Sequence, residues 1–457
     1  MTGGVRGTAG DDGGRGRLAV LAGALTLAAS LVLADAGVPP FHTWSYQLSW
    51  YPFLLLVDGA YAWRTGRFAL LGRPRFAVSL FLWSAPVWFV FEALNFRLAN
   101  WFYVNVPESA ALRWPGYVAA FATVLPAIYL PDRWLRLWLS DADVAGPSLR
   151  VGTRERRVVF AGGFLFLALP LWRPDWFFPL VWGATVLLLA PWNHARDPGS
   201  SLLGDVERGR YGRIVRLLLA GLAAGIAWES MNVVAGTRWI YTVPGLEGLK
   251  IFEMPPLGFV GFTVFGLECR VMYRTLVNAG VAVEGWGDPW DGGEAPSGAR
   301  PRPARTAGAA LLAAAFCLGV SAGVDRWTVA SNRPAMDGLP SVSAETSAAL
   351  RSAGITGVPQ LAASDSADVA RAAGIPPDRA GRLLRVVRLA ELRGLGPRNA
   401  ELLVRGGVED VCGLARADES RVVPLLAEAT EARDAGHRRR VRVWIRAARQ
   451  ACPATGG

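Results

Sequence analysis

Long apolar runs dominate the chain as far as Val324 and then stop. Nine stretches come close to the ~20 mostly apolar residues that a membrane-crossing helix needs. They are Leu18–Val38, Gln47–Trp63, Phe76–Phe96, Pro115–Leu130, Val158–Leu171, Phe177–Trp192, Leu217–Val234, Pro256–Tyr273 and Thr306–Val324. The fifth and sixth are short and are separated only by Trp172-Arg173-Pro174-Asp175-Trp176, which reads as a hairpin at the membrane interface. Residues 284–305 and 325–342 are polar linkers, and residues 343–450 have the composition of a small soluble helical domain. The expected fold class is therefore all-α. It comprises a disordered tail over 1–17, a transmembrane bundle of about eight helices over 18–283, a ninth helix over 306–324, and the C-terminal domain.

Charge sets an orientation on this pattern. Only 19% of residues are charged, against about 25% in ordinary soluble domains. Arginine supplies nearly all of the positive charge, and Lys250 is the sole lysine. Alternate loops are basic: Arg64, Arg67, Arg73 and Arg75, then Arg133, Arg136, Arg150, Arg154, Arg156 and Arg157. Arg196, Arg208, Arg210, Arg213 and Arg216 follow, and then Arg270, Arg274, Arg300, Arg302 and Arg305. By the positive-inside rule these loops are cytoplasmic. The N-terminus is then cytoplasmic, and nine crossings put the C-terminal domain outside. Trp44, Trp50, Trp101, Trp114, Trp172, Trp176 and Trp239 fall near the predicted outer ends, as an aromatic belt requires. A cleaved signal competes with the first helix, because Arg15 and Arg17 precede an apolar run ending Ala34-Asp35-Ala36.

The most informative feature is a repeated constellation. Phe91-Glu92-x2-Asn95, Trp101-x-Tyr103 and Pro107 are answered by Trp228-Glu229-x2-Asn232, Trp239-x-Tyr241 and Pro244. Gly116-Tyr117-Val118 is answered by Gly258-Phe259-Val260. Helices one to four and five to eight thus look like two copies of one unit, with the ninth as a tether. Each copy has an even number of crossings, so the expected symmetry axis runs along the membrane normal.

Glu92 and Glu229 occupy matching places, and in each copy the glutamate and asparagine share a helical face. A carboxylate in hydrocarbon is costly, so both should face the bundle interior. Two readings stand side by side. One is a ligand site of Glu92, Asn95, Trp101, Tyr103, Glu229, Asn232, Trp239, Tyr241 and Glu253. The other is a set of polar locks between helix and loop. Glu268 is expected to pair with Arg270, and Asp58 to be a hydrogen-bonded packing residue. Gly221-x3-Gly225 and Gly319-x3-Gly323 are expected to be close helix contacts. Cys269, Cys317, Cys412 and Cys452 and the three histidines show no metal-ligand spacing, so no metal or cofactor is expected.

In the C-terminal domain, Arg388-Leu389-Ala390-Glu391-Leu392-Arg393-Gly394-Leu395-Gly396-Pro397-Arg398-Asn399-Ala400-Glu401-Leu402-Leu403 resembles a helix-hairpin-helix motif. With Ala353-Gly354-Ile355 and Ala373-Gly374-Ile375, the segment Ser343–Gln450 is similar to a family of tandem helix-hairpin-helix domains of unassigned function. The resemblance implies a hairpin turn at Arg393, Gly394, Gly396 and Arg398 that holds either an anion, such as a DNA phosphate, or a protein partner. The lack of a second Gly-hydrophobic-Gly turn and the outside placement favour a protein. The membrane half is only faintly similar to the small-subunit type of bacterial carotenoid cyclase, whose paired acidic residues after the proline it does not reproduce. Three functions compete. They are binding or transport of a small or lipid-like ligand, a lipid- or isoprenoid-modifying enzyme, and a scaffold presenting the hairpin domain. The bilayer is the expected partner in all three.

Overall fold

In the computed structural model, the residues described are 12–244, 249–287, 301–332, 336–339, 341–427 and 435–452, the side chains of 427 and 435–437 excepted. They are mostly helical and fall into two compact units. One comprises Met1–Leu98, Trp114–Gly236 and Pro244–Val324; the other comprises Ala99–Arg113, Thr237–Val243 and Asp325–Gly457. The second unit therefore draws in two short loops from the apolar part of the chain, which the sequence had assigned wholly to the bundle.

The first unit holds α1 (Asp12–Asp35), α2 (Ser45–Thr65), α3 (Pro74–Leu98), most of α4 (Ala110–Phe121), α5 (Val124–Leu135) and α6 (Thr153–Trp172). It continues with α7 (Pro174–Phe177), α8 (Val181–Arg196), α9 (Leu202–Glu207), α10 (Gly212–Val234), α11 (Gly258–Asn278) and α12 (Pro303–Gly323). Among the described residues, five helical stretches are long and apolar enough to cross a membrane: Asp12–Asp35, Pro74–Leu98, Pro174–Arg196, Gly212–Val234 and Pro303–Thr328. The other expected crossings are charged or broken. Helix α2 carries Asp58 and Arg64, α6 opens on Arg154-Glu155-Arg156-Arg157, and α11 carries Glu268, Arg270 and Arg274.

The expected fourth crossing, Pro115–Leu130, is two helices. Pro126 has no N–H to give the carbonyl of residue 122, and its ring crowds that carbonyl. Ser84 of α3 bridges the break, donating to the Phe121 carbonyl at 2.6 Å and accepting from the Leu125 N–H at 2.9 Å. Helix α1 starts at Asp12, inside the expected disordered tail, because packing continues to Gly16. A Cβ there would collide with the backbone of Gly59 and Trp63 on α2. Gly221 and Gly266 bring α10 and α11 into backbone contact, as small residues do between apolar helices. Gly319 faces open space, contrary to the expected contact.

The second unit opens with two strands, β1 (Trp101–Val104) and β2 (Arg238–Tyr241), paired antiparallel. Trp101 stands opposite Tyr241, Phe102 opposite Ile240, Tyr103 opposite Trp239 and Val104 opposite Arg238. The segment after α12, expected as a linker, is pinned along β1. The Ala330 N–H donates to the Tyr103 carbonyl at 2.8 Å, and the Val106 N–H to the Ser331 carbonyl at 3.3 Å.

Eight helices complete the unit: α13 (Ala344–Ser352), α14 (Val358–Ala363), α15 (Ser366–Ala373), α16 (Pro377–Ala390), α17 (Gly396–Arg405), α18 (Val411–Arg416), α19 (Glu419–Ala427) and α20 (Ala435–Ala451). They enclose two cores, one around Leu350, Leu361 and Leu383, the other around Leu395, Leu403 and Trp444. Three helices stop in the same way. Gly354, Gly374 and Gly407 take positive φ, and the next residue's N–H reaches back to the Leu350, Ala370 and Leu403 carbonyls. This αL stop suits glycine, and the hydrophobic residue after it packs back on the helix. Cys412 and Cys452 form a disulfide across 40 positions, with Cα atoms 5.1 Å apart, tying α18 to the end of α20.

Candidate functional site

Glu92 and Asn95 lie on α3, and Glu229 and Asn232 on α10; all four are buried. Both glutamates have 0% exposure. Trp88, one turn before Glu92, donates its Nε1–H to Oε1 of Glu92 at 2.8 Å. Trp228, directly before Glu229, donates its Nε1–H to the Tyr46 hydroxyl of α2 at 3.0 Å.

Aromatic rings bring these helices together. Phe91 precedes Glu92, and its ring lies 5.3 Å from Phe265 of α11. Trp228 precedes Glu229, and its ring lies 6.1 Å from the same Phe265. Trp182 of α8 stacks on Phe91 at 5.6 Å and meets Phe265 edge-on at 6.0 Å. Each such ring pair contributes about 0.5–1.5 kcal/mol beyond its buried area. The cluster therefore fixes where α3 and α10 carry their carboxylates.

The other predicted site residues lie elsewhere. Trp101, Tyr103, Trp239 and Tyr241 belong to the β1–β2 ribbon of the second unit. Glu253 is buried in the first unit, and Lys250 stands 3.9 Å from its Oε2. Glu268 does not pair with Arg270: among the described residues no ion pair joins them. Two positions along a helix are turned well apart. Thr185 of α8 donates to Oε1 of Glu268 at 2.9 Å, while Arg270 lies over the ring of Trp286. Asp58 accepts three backbone N–H groups, from Ala69, Leu70 and Leu71, at 2.7, 3.0 and 2.8 Å, and so anchors the loop after α2. An apolar groove of about 440 Å³ opens between α2, α5 and α10, with Val57, Trp134, Leu219 and Ile226 among its walls. None of the predicted site residues lines it.

The glycine turn of the C-terminal domain is covered. Gly394 and Gly396 have positive φ and are buried. A Cβ on Gly394 would stand 3.1 Å from Phe102 and from Val104 of the ribbon. The Gly394 carbonyl accepts from Trp444 Nε1 at 2.9 Å. Asn399 donates to the Ala330 carbonyl at 3.1 Å. Burial lowers Arg393 to about 10, and the neighbouring Arg238 charge adds to the effect. Of the four turn residues only Arg398 is exposed. The arginines of α20 are largely engaged as well. Arg439 donates to the Ala99 carbonyl at 3.2 Å, Arg440 to the Trp327 carbonyl, and Arg442 to Glu419 at 2.7 Å. A phosphate approaching this turn meets the ribbon first.

One charged network is absent from the sequence reading. Arg216 is 1% exposed and holds Asp132 at 3.1 Å and Asp141 at 2.6 Å. Arg213 holds Asp141 at 2.9 Å and stands 3.4 Å from Asp205. Arg274 pairs with Asp197 and Glu284. Burial pushes the Asp141 carboxyl up, but the Arg213 and Arg216 guanidinium groups outweigh it and hold the carboxyl below the usual range. Asp205 lies above its ordinary value, because burial outweighs Arg213 and Arg208. The signal available in the sequence was the acids in two of the arginine-rich loops, Asp132 and Asp141 in one and Asp197 and Asp205 in the next.

No curated protein and no solved structure matches the chain. Residues 340–451 match the model of a family described as a domain of unknown function, DUF4332.

Proposed function

We propose that the chain is a polytopic membrane protein whose two related halves enclose a polar site for a small or lipid-like ligand. Glu92 and Glu229, with Asn95 and Asn232, carry that site. The observation that supports it most is the shared burial of two carboxylates at corresponding positions, with the ring before each one meeting Phe265. Carboxyl groups buried in this way mark ligand or ion sites more often than packing contacts.

The reciprocal register of the ribbon supports the duplication. Under the repeat, Trp101 corresponds to Trp239 and Tyr103 to Tyr241. A two-fold axis demands that Trp101 face the counterpart of Tyr103, and it does. Helices α2 and α11 count as crossings in this reading because the charges along their length turn inward: Asp58, Glu268, Arg270 and Arg274 are all buried. The Cys412–Cys452 disulfide supports an extracytoplasmic C-terminal domain, since disulfides persist in oxidising compartments. That domain serves as a protein-interaction module.

The test is native mass spectrometry of the detergent-purified chain. The unchanged protein is expected to carry a bound small molecule or lipid that the Glu92→Gln/Glu229→Gln protein loses while unfolding at a similar temperature. An identical bound species in the folded double variant refutes the site.

A further inference from the structure

Among the described arginines of the first unit's charged network, one is buried with no acceptor for its Nη1. Arg213, Arg216 and Arg274 each hold carboxylates. Arg270 is 3% exposed, and among the described residues no hydrogen bond or ion pair reaches it. Its Nη1 is buried with no acceptor, and its guanidinium centre lies 5.9 Å from the centre of the Trp286 ring. A guanidinium keeps its proton under all ordinary conditions, so this charge cannot be shed as that of a carboxylate can. Leaving it uncompensated in the interior is strongly unfavourable.

The nearby carboxylates are committed elsewhere. Asp132 accepts from Arg216 and from Trp286 Nε1 at 3.1 Å. Asp141 is shared by Arg213 and Arg216, and Asp205 by Arg208 and Arg213. The Trp286 ring lies against the guanidinium and offers its buried Nη1 no acceptor. We propose that Arg270 anchors a binding site for a phosphate oxyanion, brought either by a phospholipid headgroup or by inorganic phosphate. The planar fork of donors matches two oxygens of such a group, and the ligand's charge compensates the arginine. Nothing in this site depends on Glu92 or Glu229.

The test follows thermal unfolding of the full chain, stripped of lipid in a neutral maltoside detergent. The additions are inorganic phosphate, phosphatidylglycerol in the micelle, diacylglycerol in the micelle, and sodium chloride at matched ionic strength. Phosphate or phosphatidylglycerol is expected to raise Tm by several degrees at about 100 times its dissociation constant. Diacylglycerol and chloride are expected to leave it unmoved. A response to phosphate alone identifies the free ion, and a response to phosphatidylglycerol alone identifies a headgroup; either result, or both together, supports the site. Arg270→Gln is expected to abolish the rise while leaving the unliganded Tm at or above that of the unchanged chain, since it removes an uncompensated charge. Should that variant fail to accumulate, Arg270→Lys keeps the charge without the fork and is expected to need more ligand for the same rise. No response to either probe, an undiminished response in Arg270→Gln, or an unchanged midpoint in Arg270→Lys overturns the proposal. The Glu92→Gln/Glu229→Gln protein is expected to keep the full response, so the two readings fail separately.

Discussion

Trp101 stands opposite Tyr241, and two residues later Tyr103 stands opposite Trp239. The centre of this pattern is Phe102 against Ile240, both buried, with Val104 beside them and Ala330 and Val443 packed against the cluster. A ribbon of two four-residue strands has little stability of its own. Its order comes from what packs on that central pair.

Phe102→Ala should therefore cost about 3–5 kcal/mol, the usual range for truncating a fully buried phenylalanine. The measurement is denaturant unfolding of the full chain, with limited proteolysis to locate the loosened region. New cleavage sites are expected near the ribbon and in residues 329–332. A cost below about 1 kcal/mol, the level of an ordinary surface change, would show that the ribbon is not a core element.

Arg113 and Asp325 form a two-pronged ion pair, Nε to Oδ1 at 2.8 Å and Nη2 to Oδ2 at 2.6 Å. Arg113 also donates to the carbonyls of Pro107 and Glu108. Its side chain is 9% exposed and that of Asp325 is 21% exposed. Arg113→Ala is expected to destabilise by about 3 kcal/mol, because it leaves a carboxylate and two carbonyls without their donor. Adding Asp325→Ala to that variant should cost little more. Additive losses in the four-member cycle would mean that the pair carries no coupling.

Cys412 and Cys452 should resist alkylation in protein quenched directly from cells, and should become reactive after reduction. Mass spectrometry of the alkylated peptides reads this out. Cys269 and Cys317 are buried thiols and should label only on unfolding. Replacing both bridged cysteines by serine is expected to cost about 2–4 kcal/mol, since the bridge closes a loop across 40 positions. Full alkylation without reduction would remove the support for an oxidising location.

The helices were legible because length and apolar content are local properties. Most of each apolar stretch read from the sequence lies on helix; Pro126 breaks the fourth at residues 122–123, the first runs past the end of α1 at Asp35, and the eighth begins two residues before α11. The burial of Glu92 and Glu229 followed from the cost of placing a carboxylate in hydrocarbon. The arginines were read less well. Arg216, Arg270 and Arg274 counted as loop charge, yet each is at most 3% exposed. Asp132 and Asp141, the partners of Arg216, and Asp197, a partner of Arg274, lie 75 to 84 positions away, and only the tertiary fold brings them within reach. The register of Trp101 with Tyr241 was illegible for the same reason. So was the covering of Gly394 by Phe102 and Val104, which turns a motif expected to face a partner inward.

Acid should expose the network that holds Arg213 and Arg216. The Asp141 carboxyl lies below its unfolded value of about 3.9, so its charged form stabilises the fold. That contribution is fully present above about pH 4 and is lost as pH falls through the lowered value of the folded state. Asp205 behaves in the opposite sense. Burial raises it, so its ionised form is disfavoured in the folded chain, and protonation on acidification relieves that penalty. The two sites separate in a pH series of Tm between about pH 3 and pH 7, where both unfolded carboxyls titrate. Asp141→Asn is expected to lower Tm clearly at pH 7 and by less at pH 3, because acid has by then removed part of the difference. Asp205→Asn is expected to cost less at pH 7 than Asp141→Asn does, since Arg213 keeps Asp141 as a partner. Equal losses for the two variants across the range would mean that Asp141, not flanked by its arginines in solution, contributes only as a polar surface group.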